Sequence, residues 1–250
     1  MAPPGRNAEV AARSGLSVMA TYLKICQKVA RETGAIFGTR PTTVINQSGE
    51  ELKIVEYVND AWNRIQNHLG SWDWMYREFE AQSAADTVRY TAAGWNITSF
   101  AEWVVDNPQM GRYPATIYLT ATGKADENQL RFMPWRNFKA VYDIGVHTAG
   151  RPTEYAVSPA GEFCLGPTPD AAYTVRGEYR LNSQTLALNA DVPLMPARFH
   201  DLIVDYALEL YNGHDEAMTA FANSRARRSS GGQSLIRDCT PPIELGDPLA

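Results

Sequence analysis

An α+β protein is predicted, with helices at both ends of the chain and a β-rich stretch between them. Three observations carry this. Apolar residues recur at helical spacing over 16–34 and 52–69, short β-branched and aromatic runs broken by Gly, Pro, Asn or Asp fill 83–194, and helical spacing returns after Pro196. Neither helical half has enough faces to close a core alone. The N- and C-terminal helices are therefore expected to form one antiparallel bundle with the β-rich domain inserted. The layout is a flexible arm over 1–15, a first bundle half over 16–82, the insertion over 83–194, a second half over 195–228 and an extended C-terminal tail over 229–250.

The first helix is read over 16–34 from two apolar rows, Leu16, Met19, Leu23, Cys26, Ala30 and Val18, Tyr22, Ile25, Val29. Ser14 or Ser17 is its expected N-cap and Gly34 its C′ residue. Ser48 and Glu51 have the spacing of a capping box ahead of a second helix. There Leu52, Val55, Val58, Trp62, Ile65 and Leu69, with Ile54 and Ala61, are read as the inward rows, while Lys53, Glu56, Asn59, Asn63 and Gln66 take the wet side. Trp72-Asp73-Trp74 follows as an aromatic core plug, since each ring can bury about 150–250 Å².

Strands are read at 87–91, 116–120, 129–132, 154–157, 162–165 and 173–179, the last three as an antiparallel meander. Short helices are expected at 99–105 and 136–142. Pro196 then opens a helix carrying Phe199, Leu202, Ile203, Tyr206 and Leu210 on one face. A shorter helix over 214–228 ends in Arg225, Arg227 and Arg228. Trp62, Trp72, Trp74, Phe199 and Tyr206 are the expected structural core.

The chain has 250 residues, 23 basic and 28 acidic, for a net charge of −5. That charge disfavours a protein gripping nucleic acid over its whole surface. No apolar run approaches the roughly 18–20 residues of a membrane span, and the first fifteen residues lack the apolar core of a secretory signal. Cys26, Cys164 and Cys239 are far apart and read as buried, reduced thiols. The four histidines, His68, His147, His200 and His214, stand alone, so no metal site is predicted. No nucleophile elbow and no phosphate loop occurs, so neither a catalytic residue nor a cofactor site is predicted. His68 and His200 read as capped or solvated imidazoles near helix termini, and the pairs Glu50-Glu51 and Asp215-Glu216 as first-turn carboxylates meeting a helix dipole. Three arginines at 225, 227 and 228 exceed what one dipole needs. With Leu235 and Ile236 as apolar anchors in the tail, they are the candidates for docking a partner.

In order and kind these landmarks resemble the head-to-tail adaptors of tailed bacteriophages, the connector type also called tail tubular protein A. The residues that carry the likeness are 23–32, Pro41-Thr42-Thr43-Val44, Val58-Asn59-Asp60-Ala61-Trp62, Trp72-Asp73-Trp74, Arg151-Pro152-Thr153-Glu154-Tyr155, Leu165-Gly166-Pro167-Thr168-Pro169, Gly177-Glu178-Tyr179 and Met195-Pro196-Ala197-Arg198-Phe199-His200. The resemblance spans about 16–228 and consists of packing and turn residues.

It implies a non-enzymatic, dodecameric ring at the portal vertex of a virion, between the portal protein and a downstream tail or nozzle protein. It further implies that the C-terminal segment reaches onto the portal and that DNA transits the channel without specific binding. Twelve copies at −5 each would carry roughly −60, a wall that repels DNA where it lines a bore. Two other classes stand beside this one. A carbohydrate- or receptor-binding tail module would expose Trp72, Trp95 or Trp103 on a flat face, and a hydrolase would gather perturbed ionisable groups in a cleft.

Overall fold

A computed structural model describes residues 20–34, 40–68, 72–105, 115–212 and 218–240, with the backbone alone at 212 and 218–226. In chain order the elements are α1 (Tyr22–Thr33), α2 (Gly49–Asn67), β1 (Tyr76–Gln82), β2 (Arg89–Tyr90), β3 (Phe100–Trp103), β4 (Thr116–Leu119), β5 (Asn128–Gln129), β6 (Arg131–Phe132), α3 (Trp135–Phe138), β7 (Glu154–Val157), β8 (Phe163–Gly166), β9 (Tyr173–Leu181), α4 (His200–Asn212) and α5 (Met218–Cys239). The chain divides into two compact units. Residues up to Gly70 join Ser183–Cys239 in a helical unit, and Ser71–Asn182 form a β-rich unit. The class is mixed α+β, as the sequence predicts.

In the helical unit, α1 starts at Thr21, whose hydroxyl accepts from Lys24 N at 3.4 Å, and stops at Gly34 with φ +64°. Only the second of these caps was anticipated; Ser14, Ser17 and residues 1–19 generally lie outside the described residues. Two further amides of the first turn find partners far along the chain: Tyr22 N donates to Asp191 O at 2.7 Å and Leu23 N to Asn189 O at 3.3 Å.

Ser48 does precede α2, but its side chain makes no capping hydrogen bond. Gly49 at φ +61° turns the backbone through the left-handed region there, so the capping box is not formed. Ile54, Val58, Ala61, Trp62 and Ile65 are buried on α2. Its wet side is narrower than expected. Gln66 is 1% exposed and exchanges both amide bonds with Gln184, at 2.9 and 2.6 Å. One heptad earlier Asn59 does the same with Leu186, at 3.0 and 3.2 Å. Residues 184–186 are thus held as an extended strand is held, by amides seven residues apart on one helix face, which makes burial of these polar groups affordable.

The C-terminal region differs from the expected tail. α5 runs on through Ser229 to Cys239 and buries Leu235 and Cys239. Serines and glycines at 229–232 disfavour a helix in isolation, but packing of Leu235 and of Gly231 against Leu202 outweighs propensity here.

In the β-rich unit, one sheet has the order β1-β9-β4-β5 with β3 also on β9, and the second has β2-β8-β7-β6. Among the described strands all pairings are antiparallel except β6 with β7, and an isolated bridge between Gly150 and Pro169 is also parallel. Phe79, Trp103, Ile117, Tyr155, Phe163 and Val175, from both sheets, share one core. β1 falls inside what the sequence assigned to the helices: its charged Arg77, Glu78 and Glu80 are good helix formers, whereas the buried Phe79 and Ala81 alternate as a strand. β3 replaces the helix expected at 99–105. A register irregularity between Phe100 and Glu102 lets Phe100 and Trp103 touch, at 4.5 Å between ring centroids, so an i, i+3 pair mimicked a helix face. The run at 129–132 splits at buried Leu130 into two strands on different sheets. The expected meander also ends after β7 and β8, because β9 leaves for the other sheet. The helix expected at 136–142 is present as α3 continued by a π turn over Lys139–Asp143.

Gly166 and Gly177 are required by space. A Cβ would lie 2.6 Å from Tyr142 at the first and 2.9 Å from Phe79 at the second.

Candidate docking groove on the helical unit

The docking candidates read from sequence are built into α5, and the structure separates their environments. Arg227 Nε lies 2.9 Å from Asp205 Oδ1, and Nη2 lies 3.4 Å from Glu32 Oε2, so this guanidinium links α5 to α4 and α1. Burial raises the Asp205 carboxyl above its usual range, and Arg227 opposes that rise. Arg228 Nη1 stands 2.9 Å from Glu209 Oε2 without the alignment of a hydrogen bond, and its guanidinium carbon is 4.9 Å from the Tyr206 ring centroid. Leu235 is buried at 1% exposure, which makes it a core residue of the helical unit. The side chain of Arg225 lies outside the described residues.

Ile236 and Arg228 do meet, on a groove of about 570 Å³. The C-terminal turns of α2 supply Arg64, Asn67 and His68 to it, and α4 supplies Tyr206. From α5 come Gly232 and Gln233 beside the two predicted residues. No acidic residue is among the described lining. Sequence reasoning missed Arg64 and Gly232. The available signal was a pair of adjacent glycines in a run that also carries Leu235 and Ile236 at helical spacing.

Of the expected core residues, Trp62 and Trp72 are buried and Phe199 is 9% exposed. Trp74 is half-buried and stacks on Trp72 with centroids 4.6 Å apart, within the β-rich unit and not the helical one. Tyr206 is half-buried under Arg228. His200 is neither capping nor solvated: it is 3% exposed. Its Nδ1 accepts from Ala20 N at 3.2 Å while Nε2 faces Met195 O at 3.0 Å, and burial lowers its pKa. That geometry holds the imidazole neutral with the proton on Nε2.

The observation that would favour a carbohydrate- or receptor-binding module is not met. Trp72 and Trp103 are buried. Trp95 is half-buried, stacked on Tyr90 at 4.8 Å, with its indole N–H on Gln82 O at 3.0 Å. None of the three forms a flat exposed platform.

A smaller cleft of about 170 Å³ in the β-rich unit holds Glu127 and Arg176. The Thr116 hydroxyl, 2.6 Å away, and Arg176, 3.0 Å away, lower the Glu127 pKa. Glu127 is thus held as an ionised carboxylate beside Arg176, with Glu78 and Glu178 also lining the cleft. Among the described residues no group of three His, Cys, Asp or Glu side chains is placed to hold a metal ion. The three cysteines are free and buried, and burial pushes the thiols of Cys26 up to about 12 and Cys164 to about 11. No described helix is long and apolar enough to cross a membrane.

The described chain thus comprises two cross-tied units, the helical one carrying a groove flanked by guanidinium groups. The chain belongs to the SU10 adaptor protein family, whose model matches residues 20–237. It is therefore a bacteriophage adaptor of the head–tail type, and the adaptor resemblance read from the sequence holds at the level of the family. No curated protein matches the chain.

Proposed function

We propose that this chain is a head-to-tail adaptor of the tail tubular protein A type, a non-enzymatic subunit whose copies close into a dodecameric ring at the portal vertex. The ring docks onto the portal protein, receives the next tail or nozzle protein, and lets DNA pass through its channel without specific binding. The observation that supports this reading is the adaptor-family match over residues 20–237, which covers both units and not one grafted module. A closed ring needs two different complementary faces on each subunit, and a negatively charged chain suits a bore that must not retain DNA.

The portal contact is placed on the α5 side of the helical unit. Arg227 and Leu235 are engaged inside the helical unit; Arg228, although paired with Glu209, and Ile236 line the groove and are its candidates. Filled heads that carry the portal but no tail, incubated with purified chain, should sediment with it. Heads stripped of portal should not, and equal binding to both would reject the reading.

A further inference from the structure

Large apolar side chains scattered singly over a surface need no explanation, but a cluster of them does. Of the seven that are exposed among the described residues, three fall within six positions of the β-rich unit: Val141, Ile144 and Val146. Ile144 is 63% exposed and Val146 wholly so. They lie on the π turn over Lys139–Asp143 that continues α3 and on the loop after it. The fold holds this loop outward. Arg89 Nη2 donates to Asp143 Oδ1 at 2.7 Å, and its Nη1 to Glu162 Oε2 at 3.3 Å. The Tyr142 hydroxyl donates to Glu154 Oε2 at 3.1 Å, with the ring packed where Gly166 leaves room for it. His147 Nε2 meets Ile144 O at 2.9 Å across the tip. The polar side chains are thus tied back to β2 and β7 while the aliphatic ones are left facing solvent. A braced, β-branched side chain loses little entropy when a partner encloses it.

The flanking charge narrows what that partner is. Arg136 on α3 and Lys139 on the π turn are exposed and form no ion pair among the described residues. A complementary surface is an apolar hollow bordered by carboxylates. Neither cleft of this chain described above has that character. The groove of the helical unit carries Arg64 and Arg228, of the same sign as Arg136 and Lys139. The cleft in the β-rich unit has no aliphatic lining and holds the Glu127–Arg176 pair. The partner is therefore a different protein, and the portal contact is proposed on the other unit.

We infer that the braced loop is the contact for the downstream tail protein, with Val141, Ile144 and Val146 seated in an apolar hollow of that protein and Arg136 and Lys139 against carboxylates at its rim. This rests on the adaptor reading proposed above and gives it a second surface, built from other residues and on the other unit.

The test uses the full-length chain, portal-bearing heads and purified downstream tail protein. Val146→Cys labelled with a polarity-sensitive dye reports on the tip, since the three native cysteines are buried. Its emission should shift to the blue when tail protein joins heads already loaded with the chain, and not when the chain loads onto heads alone. Ile144→Asp combined with Val146→Asp should leave loading and thermal stability unchanged and weaken tail-protein binding at least about tenfold. Arg136→Glu combined with Lys139→Glu should weaken it as well. A shift that already appears on loading, or tail protein that binds the Ile144→Asp/Val146→Asp chain as it binds the native one, would overturn the assignment and leave the adaptor reading standing. Heads that take up no chain, or loaded heads that bind no tail protein, would remove the adaptor reading, and the inference with it.

Discussion

The two units solve the same problem, holding together segments distant in sequence, with opposite chemistry. The helical unit joins its N- and C-terminal parts by polar clamps: Gln66 and Asn59 on 184–186, Asn189 Oδ1 on Val44 N at 2.7 Å, His200 on Ala20, and Arg227 on Glu32 and Asp205. The β-rich unit joins its sheets with rings. Trp95, Trp103, Phe79 and Phe163 lie within 5.0–6.1 Å of one another, and Tyr155 stacks on Phe163 at 4.9 Å. Directional amide bonds fix which residues meet, whereas an aromatic core is fixed by area and shape. Both units bury an apolar core; the helical unit adds amide bonds that make position specific.

The largest effect should come from breaking the aromatic side. Trp103→Ala removes a ring that is 5% exposed, together with its N–H bond to Gly161 O at 2.9 Å. It should cost about 3–5 kcal/mol in denaturant unfolding. A loss under 1 kcal/mol would show that the ring cluster is not the core of its unit.

Gln66→Leu tests the polar side. It keeps the volume and the burial but strands the N–H and C=O of Gln184, and should cost about 2–3 kcal/mol. Hydrogen exchange should quicken at Gln184 and Leu186 and stay unchanged in β7 and β8. If the leucine is neutral, the clamp is incidental to stability.

Acidification sharpens the same contrast. The folded pKa of His200 lies below its ordinary value of about 6.5, so the unfolded chain takes up the proton first. Its contribution is complete above that ordinary value and is lost as pH falls below it toward the folded pKa. Melting temperature should therefore drop over that window in the native chain and drop less in His200→Gln, and parallel curves would contradict the neutral clamp.

The smallest effect separates two neighbours on α5. Gly232→Ala should raise stability by about 1 kcal/mol, while Gly231→Ala should fail to do so because its methyl group meets Leu202. Equal gains at both sites would mean that Gly232 is not special.

What the sequence made legible follows from this division. Helix faces bearing Val58, Trp62 and Ile203, and the hairpin of β7 and β8, repeat at short range and were visible. The partners of Asn59 and Gln66 were not, because an amide that clamps a strand 118 or 127 residues away has the same local pattern as one facing water. β1 and β3 were hidden by helix-forming charges and by a bulge. The tail was misjudged because Ser229, Ser230, Gly231 and Gly232 read as linker composition while Leu235 supplies the burial that makes them helical. Of the groove, Arg228 and Ile236 were legible as a basic cluster and an apolar anchor. Arg64 was not, since nothing local links the end of α2 to α5.

Reconstruction of the portal vertex from intact virions by electron cryo-microscopy tests the adaptor reading most directly. The account predicts a ring between portal and tail whose density is fitted by α1, α2, α4 and α5 of this chain. Density for the chain only on distal fibres, or its absence from the vertex, would contradict it.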